Sequence, residues 1–196
     1  MNKYISSSIA ALTLIASASV AQAGIISYTG TLNGANESPV NASPGTGIAL
    51  ITVDDILRTI TLNITFSGLT GNTTNAHIHA ATAVAGAGTA GVATQNPLIG
   101  FPLGVTSGSF NNTLDMNLAA SFNGSYVTAN GGTPASAFTA LNQAIIDGKA
   151  YFNIHSSTFG GGEIRGFLVP SPVPEPTSMS LLALGCAVGL VRRRRK

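Results

Sequence analysis

The sequence predicts an all-β fold, an antiparallel β-sandwich with one short helix. Several stretches alternate apolar and polar residues with period two, as half-buried strands do. Thr, Ile and Val fill those stretches, and branched side chains suit a pleated surface. Gly- and Asn-rich connections separate them, and one stretch alone carries helical spacing.

Ile25 to Leu32 is the first expected strand. Thr46 to Val53 is the second, with Ile48, Leu50 and Val53 inward. Asp54-Asp55 reads as a turn rather than a paired-carboxylate site. Leu57 to Phe66 follows, with Ile60, Leu62, Ile64 and Phe66 on one face and Thr59, Thr61, Asn63 and Thr65 on the other. These two runs are expected to form a hairpin. Ala76 to Ala80 is a short strand. A long loop covers Ala81 to Thr94 and continues through Pro102; loops of this length usually cover something or carry function. Thr106 to Leu118 alternates again. Ala135 to Asp147 is the helix, with Phe138, Leu141 and Ile145 at i, i+3 and i+7, and Gly148 ends it. Lys149 to His155 and Glu163 to Val169 close the domain as two strands around Gly160-Gly161-Gly162. Short strands with Gly-rich links point to a Greek-key sandwich, immunoglobulin-like or superoxide-dismutase-like in arrangement.

The two ends are of another kind. Lys3 precedes an apolar run from Ile9 to Val20, and Ala21-Gln22-Ala23 forms an A-x-A cleavage pattern. Residues 1–23 therefore read as a signal peptide cut by signal peptidase after Ala23. At the other end, Pro174-Glu175-Pro176 precedes an apolar run from Thr177 to Val191, closed by four arginines and Lys196. A helix over that run rises roughly 22 Å against a hydrocarbon core of about 30 Å, a short span that snorkelling arginines can complete. The cations stay cytoplasmic, which places the domain outside. The expected organisation is 1–23 signal peptide, 24–170 β domain and 171–196 sorting tail.

Charge narrows the function classes. From Gly24 to Val173, three cations (Arg58, Lys149, Arg165) face six anions (Glu37, Asp54, Asp55, Asp115, Asp147, Glu163), a net −3. The basic balance of the whole chain belongs to its ends, so nucleic acid is not an expected partner. The single cysteine, Cys186, lies in the apolar tail, so no disulfide stabilises the domain. No G-x-S-x-G nucleophile motif occurs.

Three strands share one pattern: His77-Ile78-His79, Asn153-Ile154-His155 and Glu163-Ile164-Arg165. Strand side chains alternate, so isoleucines facing the core send every flanking residue to the opposite face. Were the three strands adjacent, His77, His79, Asn153, His155, Glu163 and Arg165 would form one polar cluster. One reading is a metal site. His77, His79 and His155 would offer three imidazoles to Zn or Cu, with Glu163 as fourth ligand or as acceptor for a ring N–H. The other is structural: cross-strand hydrogen bonds and a Glu163–Arg165-centred network that sets register.

The pieces "YTGTLNGANESPV", "AHIHAA" and "AYFNIHSSTFGGGEIRGFL" resemble the CHRD domain, over roughly Ser27 to Leu168. The tail, with Pro174, Glu175, Pro176, the apolar run and the cations, resembles the PEP-CTERM sorting signal of Gram-negative bacteria. Together these resemblances imply an exosortase-processed protein of the cell surface or extracellular matrix, held transiently in the membrane by its tail. The expected function is that of a non-enzymatic binding or structural module, with uncharged Asn- and Thr-rich faces and the polar cluster meeting exopolysaccharide or envelope components as partners. The alternative is a Zn- or Cu-binding extracellular protein or enzyme. The paired histidines are also similar to the copper site of Cu/Zn superoxide dismutase, although no bridging histidine, zinc-loop Asp or disulfide accompanies them.

Overall fold

The computed structural model describes residues 24–171; the expected signal peptide and C-terminal membrane helix lie outside them. Eight strands follow the chain: β1 (Ile25–Asn33), β2 (Thr46–Asp54), β3 (Thr59–Ser67), β4 (Thr73–His79), β5 (Gly108–Asp115), β6 (Tyr151–Ser156), β7 (Ile164–Phe167) and β8 (Val169–Pro170). Two helices, α1 (Gly124–Ala129) and α2 (Pro134–Ile146), lie between β5 and β6.

The strands run in one path, β4-β6-β7-β1-β2-β3-β5, and β8 pairs with β1. Every pairing is antiparallel. The result is one strongly curled sheet, a half-barrel, and not two stacked sheets. Period-two alternation reports one buried face per strand. It does not say whether that face meets a second sheet or the far side of its own. The expected all-β antiparallel character stands; the sandwich and the single helix give way to a curled sheet and two helices.

The seam between β1 and β7 depends on glycine. A Cβ on Gly166 would stand 2.5 Å from the carbonyl oxygen of Thr31, and one on Gly30 would stand 3.1 Å from that of Gly166. Only hydrogen side chains let the two backbones approach so closely.

The core fills the concave face. Tyr28 and Leu32, Ile51 and Val53, Ile60 to Phe66 in alternation, Phe110, Leu114 and Phe152 are buried there, and Phe138, Leu141 and Ile145 of α2 pack onto them. Helix α2 starts at a capping box, Thr133 with Ser136, has Pro134 in its first turn, and stops at Gly148 with φ +66°. The β2–β3 hairpin forms as its alternation predicts, and Asp54 Oδ1 accepts from the N–H of Ile56 and Leu57 to make its turn.

One facing is reversed. Ala49, Ile51 and Val53 point inward, while Ile48 and Leu50 point out. The run Ile48-Ala49-Leu50-Ile51 is apolar on both faces, so its pattern cannot choose between them; pairing with the strictly alternating β3 decides.

Candidate metal centre

The three polar triplets become neighbours. β6 lies between β4 and β7, with His77 opposite Asn153, His79 opposite Tyr151, Asn153 opposite Arg165 and Ile154 opposite Ile164. Ile78, Ile154 and Ile164 are fully buried in the core. Their flanking residues face the other way, yet that side is covered too: His77, His79, Asn153 and Arg165 are all buried. The Ala/Gly-rich loop after β4 does part of the covering. It returns to pair Val92 with His79, and its own Ala93, Leu98 and Phe101 are buried in the core.

One ring nitrogen from each of His77, His79 and His155 lies within 4.8 Å of the others. The opposite nitrogens are each held by an acceptor. His155 Nδ1 lies 3.0 Å from the carbonyl oxygen of Gly160, and His79 Nδ1 lies 2.8 Å from that of Ala90. His77 Nδ1 lies 3.3 Å from Asn75 Oδ1, while Asn75 Nδ2 donates to Asn96 Oδ1. A carbonyl oxygen accepts and cannot donate, so these partners assign the proton to Nδ1 in each ring. The Nε2 lone pairs are then left over. His77 and His155 set theirs 3.0 Å apart, and His79 Nε2 is buried without a partner.

Such a convergence of acceptors is relieved by a hydrogen-bond donor, a proton or a cation placed among them. Burial opposes the proton. It lowers His77 to about 3, helped by the neighbouring His79 and His155 and opposed by Asn96. Burial lowers His79 to about 4 against the opposing hydrogen bond to Ala90, and it lowers His155 as well. Neutral imidazoles with fixed Nδ1–H and inward Nε2 are what a metal centre needs, since each ligand is oriented by its own outer hydrogen bond. Two nitrogens on a tetrahedral Zn, with bonds of about 2.0–2.1 Å, stand about 3.3 Å apart, close to the His77–His155 separation.

Glu163 does not join them. Its carboxylate accepts from Ser43 Oγ at 2.6 Å and from the N–H groups of Thr70 and Gly71. Burial pushes its pKa up, but hydrogen bonds from Ser156, Ser43, Thr70 and Gly71 outweigh burial and hold the pKa below its usual value. Arg165 also turns elsewhere. Its Nε lies 3.7 Å from Glu37 Oε2 and donates to the Asn36 carbonyl, and its guanidinium sits 4.7 Å over the Tyr151 ring. Tyr151 in turn stacks on His79, ring centroids 4.7 Å apart and planes within 9°. The expected Glu163–Arg165 network is thus two separate arrangements.

Sequence reasoning missed Glu37 and Tyr151. Tyr151 shares the alternation of Asn153 and His155, so its facing was readable. Glu37 comes from a distant loop, and nothing local announces its partner. Burial raises Glu37 to about 7, against the pull of Arg165 and of the Ser38 N–H. Its Oε1 and Asn153 Oδ1 are both buried without a partner, and both lie within 2.9 Å of where a Cβ on Gly162 would stand.

Fold and site together define an antiparallel β domain with a cluster of three imidazoles, two buried and one half-buried. Residues 28–168 match the CHRD domain, and the chain belongs to that family. Residues 172–196 match the PEP-CTERM protein-sorting motif, which implies an exported, exosortase-processed protein of the cell surface. Comparison with curated proteins and with solved structures finds no match. Ala21, Ala23, Pro174, Glu175 and Pro176 lie outside the described residues.

Proposed function

We propose that this exported protein uses its CHRD domain to bind one transition-metal ion, Zn or Cu, through Nε2 of His77, His79 and His155. The observation that carries the reading is the shared orientation of the three rings. Each spends Nδ1 on an acceptor, one ring nitrogen of each lies within 4.8 Å of the other two, and Nε2 of His77 and His155 meet at 3.0 Å, where burial disfavours protonation. Imidazole suits both metals. The domain acts as a binding module and not as an enzyme. Hydrolysis would ask for a free base beside the ion, and Glu163, the carboxylate that the sequence pattern offers for it, is engaged by backbone N–H groups.

The test is the metal content of the chain, purified without chelator, loaded with Zn²⁺ or Cu²⁺ and desalted. One equivalent of ion is expected in the wild type and none in a folded His77→Ala/His155→Ala variant. A folded wild type that retains no ion, beside a variant of lower melting temperature, would make the cluster a purely structural network.

A second reading has its own support. The outer face of β3 and β5 carries cross-strand pairs of small polar side chains, Thr61 with Thr113 at 2.9 Å and Asn63 with Asn111. This uncharged face suits contact with exopolysaccharide or envelope components. Binding of purified exopolysaccharide that survives removal of the histidines and fails in a Thr61→Glu/Asn111→Glu variant would support it.

A further inference from the structure

One end of the domain gathers apolar side chains that the fold leaves uncovered. Ile25, Ile56, Leu57 and Leu118 are each more than half exposed, and Ile26 joins them at 45%. They come from three segments that meet there. Asp55 N–H donates to the Gly24 carbonyl, and a Cβ on Gly24 would lie 3.2 Å from Ile56 Cδ1. Asn117 Nδ2 donates to the Leu57 carbonyl, and Met116 N–H to that of Arg58.

The chain leaves the domain at this same end. β8 runs antiparallel to β1, with Thr29 opposite Val169 and Tyr28 opposite Pro170, and Ser171 N–H donates to the Ser27 carbonyl at 2.8 Å. The direction of travel is toward Ile26 and Ile25. Thr177, which opens the apolar run of the tail, stands six positions beyond Ser171. Six extended residues reach about 20 Å. A tail seated in the bilayer would keep this end of the domain within about 20 Å of it.

We propose that the tip formed by Ile25, Ile26, Ile56, Leu57 and Leu118 is a docking surface for the bilayer that holds the tail before its processing. Isolated apolar side chains on a surface mean little, but a contiguous group marks a contact site. Asp54, Asp55, Asp115 and Arg58 ring the tip, a net −2, so it meets the headgroups shallowly and does not drive membrane binding alone. Asp54 and Asp115 spend carboxylate oxygens on turn N–H groups and hold the apolar side chains in place. The proposal rests on the sorting reading of the tail and is independent of the metal reading.

Quenching and proteolysis test it on the chain from Gly24 to Lys196, reconstituted in phosphatidylcholine vesicles recovered by flotation. With Cys186→Ala in the background, Leu57→Cys or Thr158→Cys carries an environment-sensitive fluorophore. Thr158 lies in the β6–β7 loop at the opposite end of the sheet. Doxyl lipids are expected to quench the label at position 57 several-fold more than at 158. Trypsin cleavage after Arg58 is expected to slow several-fold on vesicles, and this protection disappears in Ile56→Ser/Leu57→Ser. Equal quenching at both ends overturns the proposal. So does protection of Arg58 without vesicles, which means the tail folds back on the tip, or disulfide capture between unlabelled Leu57→Cys chains, which means a second copy covers it.

Discussion

Three imidazoles whose pKa values are driven down by burial make the apo domain sensitive to acid. The sign follows from linkage. Each histidine is neutral when folded and titrates near its ordinary value when unfolded, so the unfolded chain takes up more protons below about pH 6.5. Stability supplied by His77 and His79 is intact above that pH and is lost as pH falls through about 4 and about 3. Glu37 acts in the opposite sense. Its folded value near 7 makes its contribution complete below its ordinary value and lost as pH rises through about 7. Melting temperature measured from pH 8 to pH 4 should fall steeply on the acid side. Glu37→Gln should remove the shallower decline near neutrality, and a profile unchanged by that substitution would disprove the assignment.

The outer partners of the rings give a second prediction. Asn75→Leu frees His77 to rotate without touching a ligand. Loss of such a partner typically costs about 10–100-fold in metal affinity. Competition against a chelator of known affinity reads this directly, and wild-type affinity in the variant would dismiss the orienting role of Asn75. The histidines themselves were legible, because H-I-H and N-I-H fix facing by alternation alone. Their acceptors were not: Ala90 and Gly160 contribute carbonyls, which no side-chain pattern encodes.

At the scale of elements, strands with strict alternation were read with the correct faces. Ile60, Leu62, Ile64 and Phe66 all entered the core as their spacing required. β2 failed because it is apolar on both faces, and its register was set by its neighbour. The helix was readable from Phe138, Leu141 and Ile145, whereas α1, at 6 residues, is too short to show a period. The glycines of the β1–β7 seam carry a sharper expectation. Gly166→Ala places a methyl group 2.5 Å from the Thr31 carbonyl oxygen, a backbone atom that cannot swing aside. Overpacking of this kind costs about 1–3 kcal/mol, or roughly 3–10 °C in melting temperature for a domain of this size. Thermal unfolding followed by circular dichroism measures it; a shift below about 1 °C would mean that the seam relaxes freely.

At the scale of the molecule, the sheet's curl could not be derived from its strands. Alternation counts faces, and only the long-range pairing of β7 with β1 decides that a single sheet curls round its own core. The division of labour between domain and tail was readable, because Pro-Glu-Pro, an apolar run and terminal cations occur together. Replacing Pro174-Glu175-Pro176 by Ala-Ala-Ala should leave the domain folded and metal-binding but retain it in the membrane fraction with the tail uncut. Normal release of the altered chain from cells would show that this motif does not direct processing.

The position of β4 gives the centre a mechanical meaning. β4 is the last strand on one side of the path, and its outer edge is met only by the loop that follows it, through bonds such as Ala93 N–H to the Ile78 carbonyl and Thr73 N–H to the Val105 carbonyl. It supplies two of the imidazoles and β6 supplies the third. The proposed ion would rivet this last strand of the sheet to the next one. Fraying of β4 would then begin by pulling out the rivet. In a domain without a single cysteine, a removable inorganic clasp would do the work that a covalent crosslink does elsewhere, and it would be fastened only after export, wherever the envelope supplies the metal.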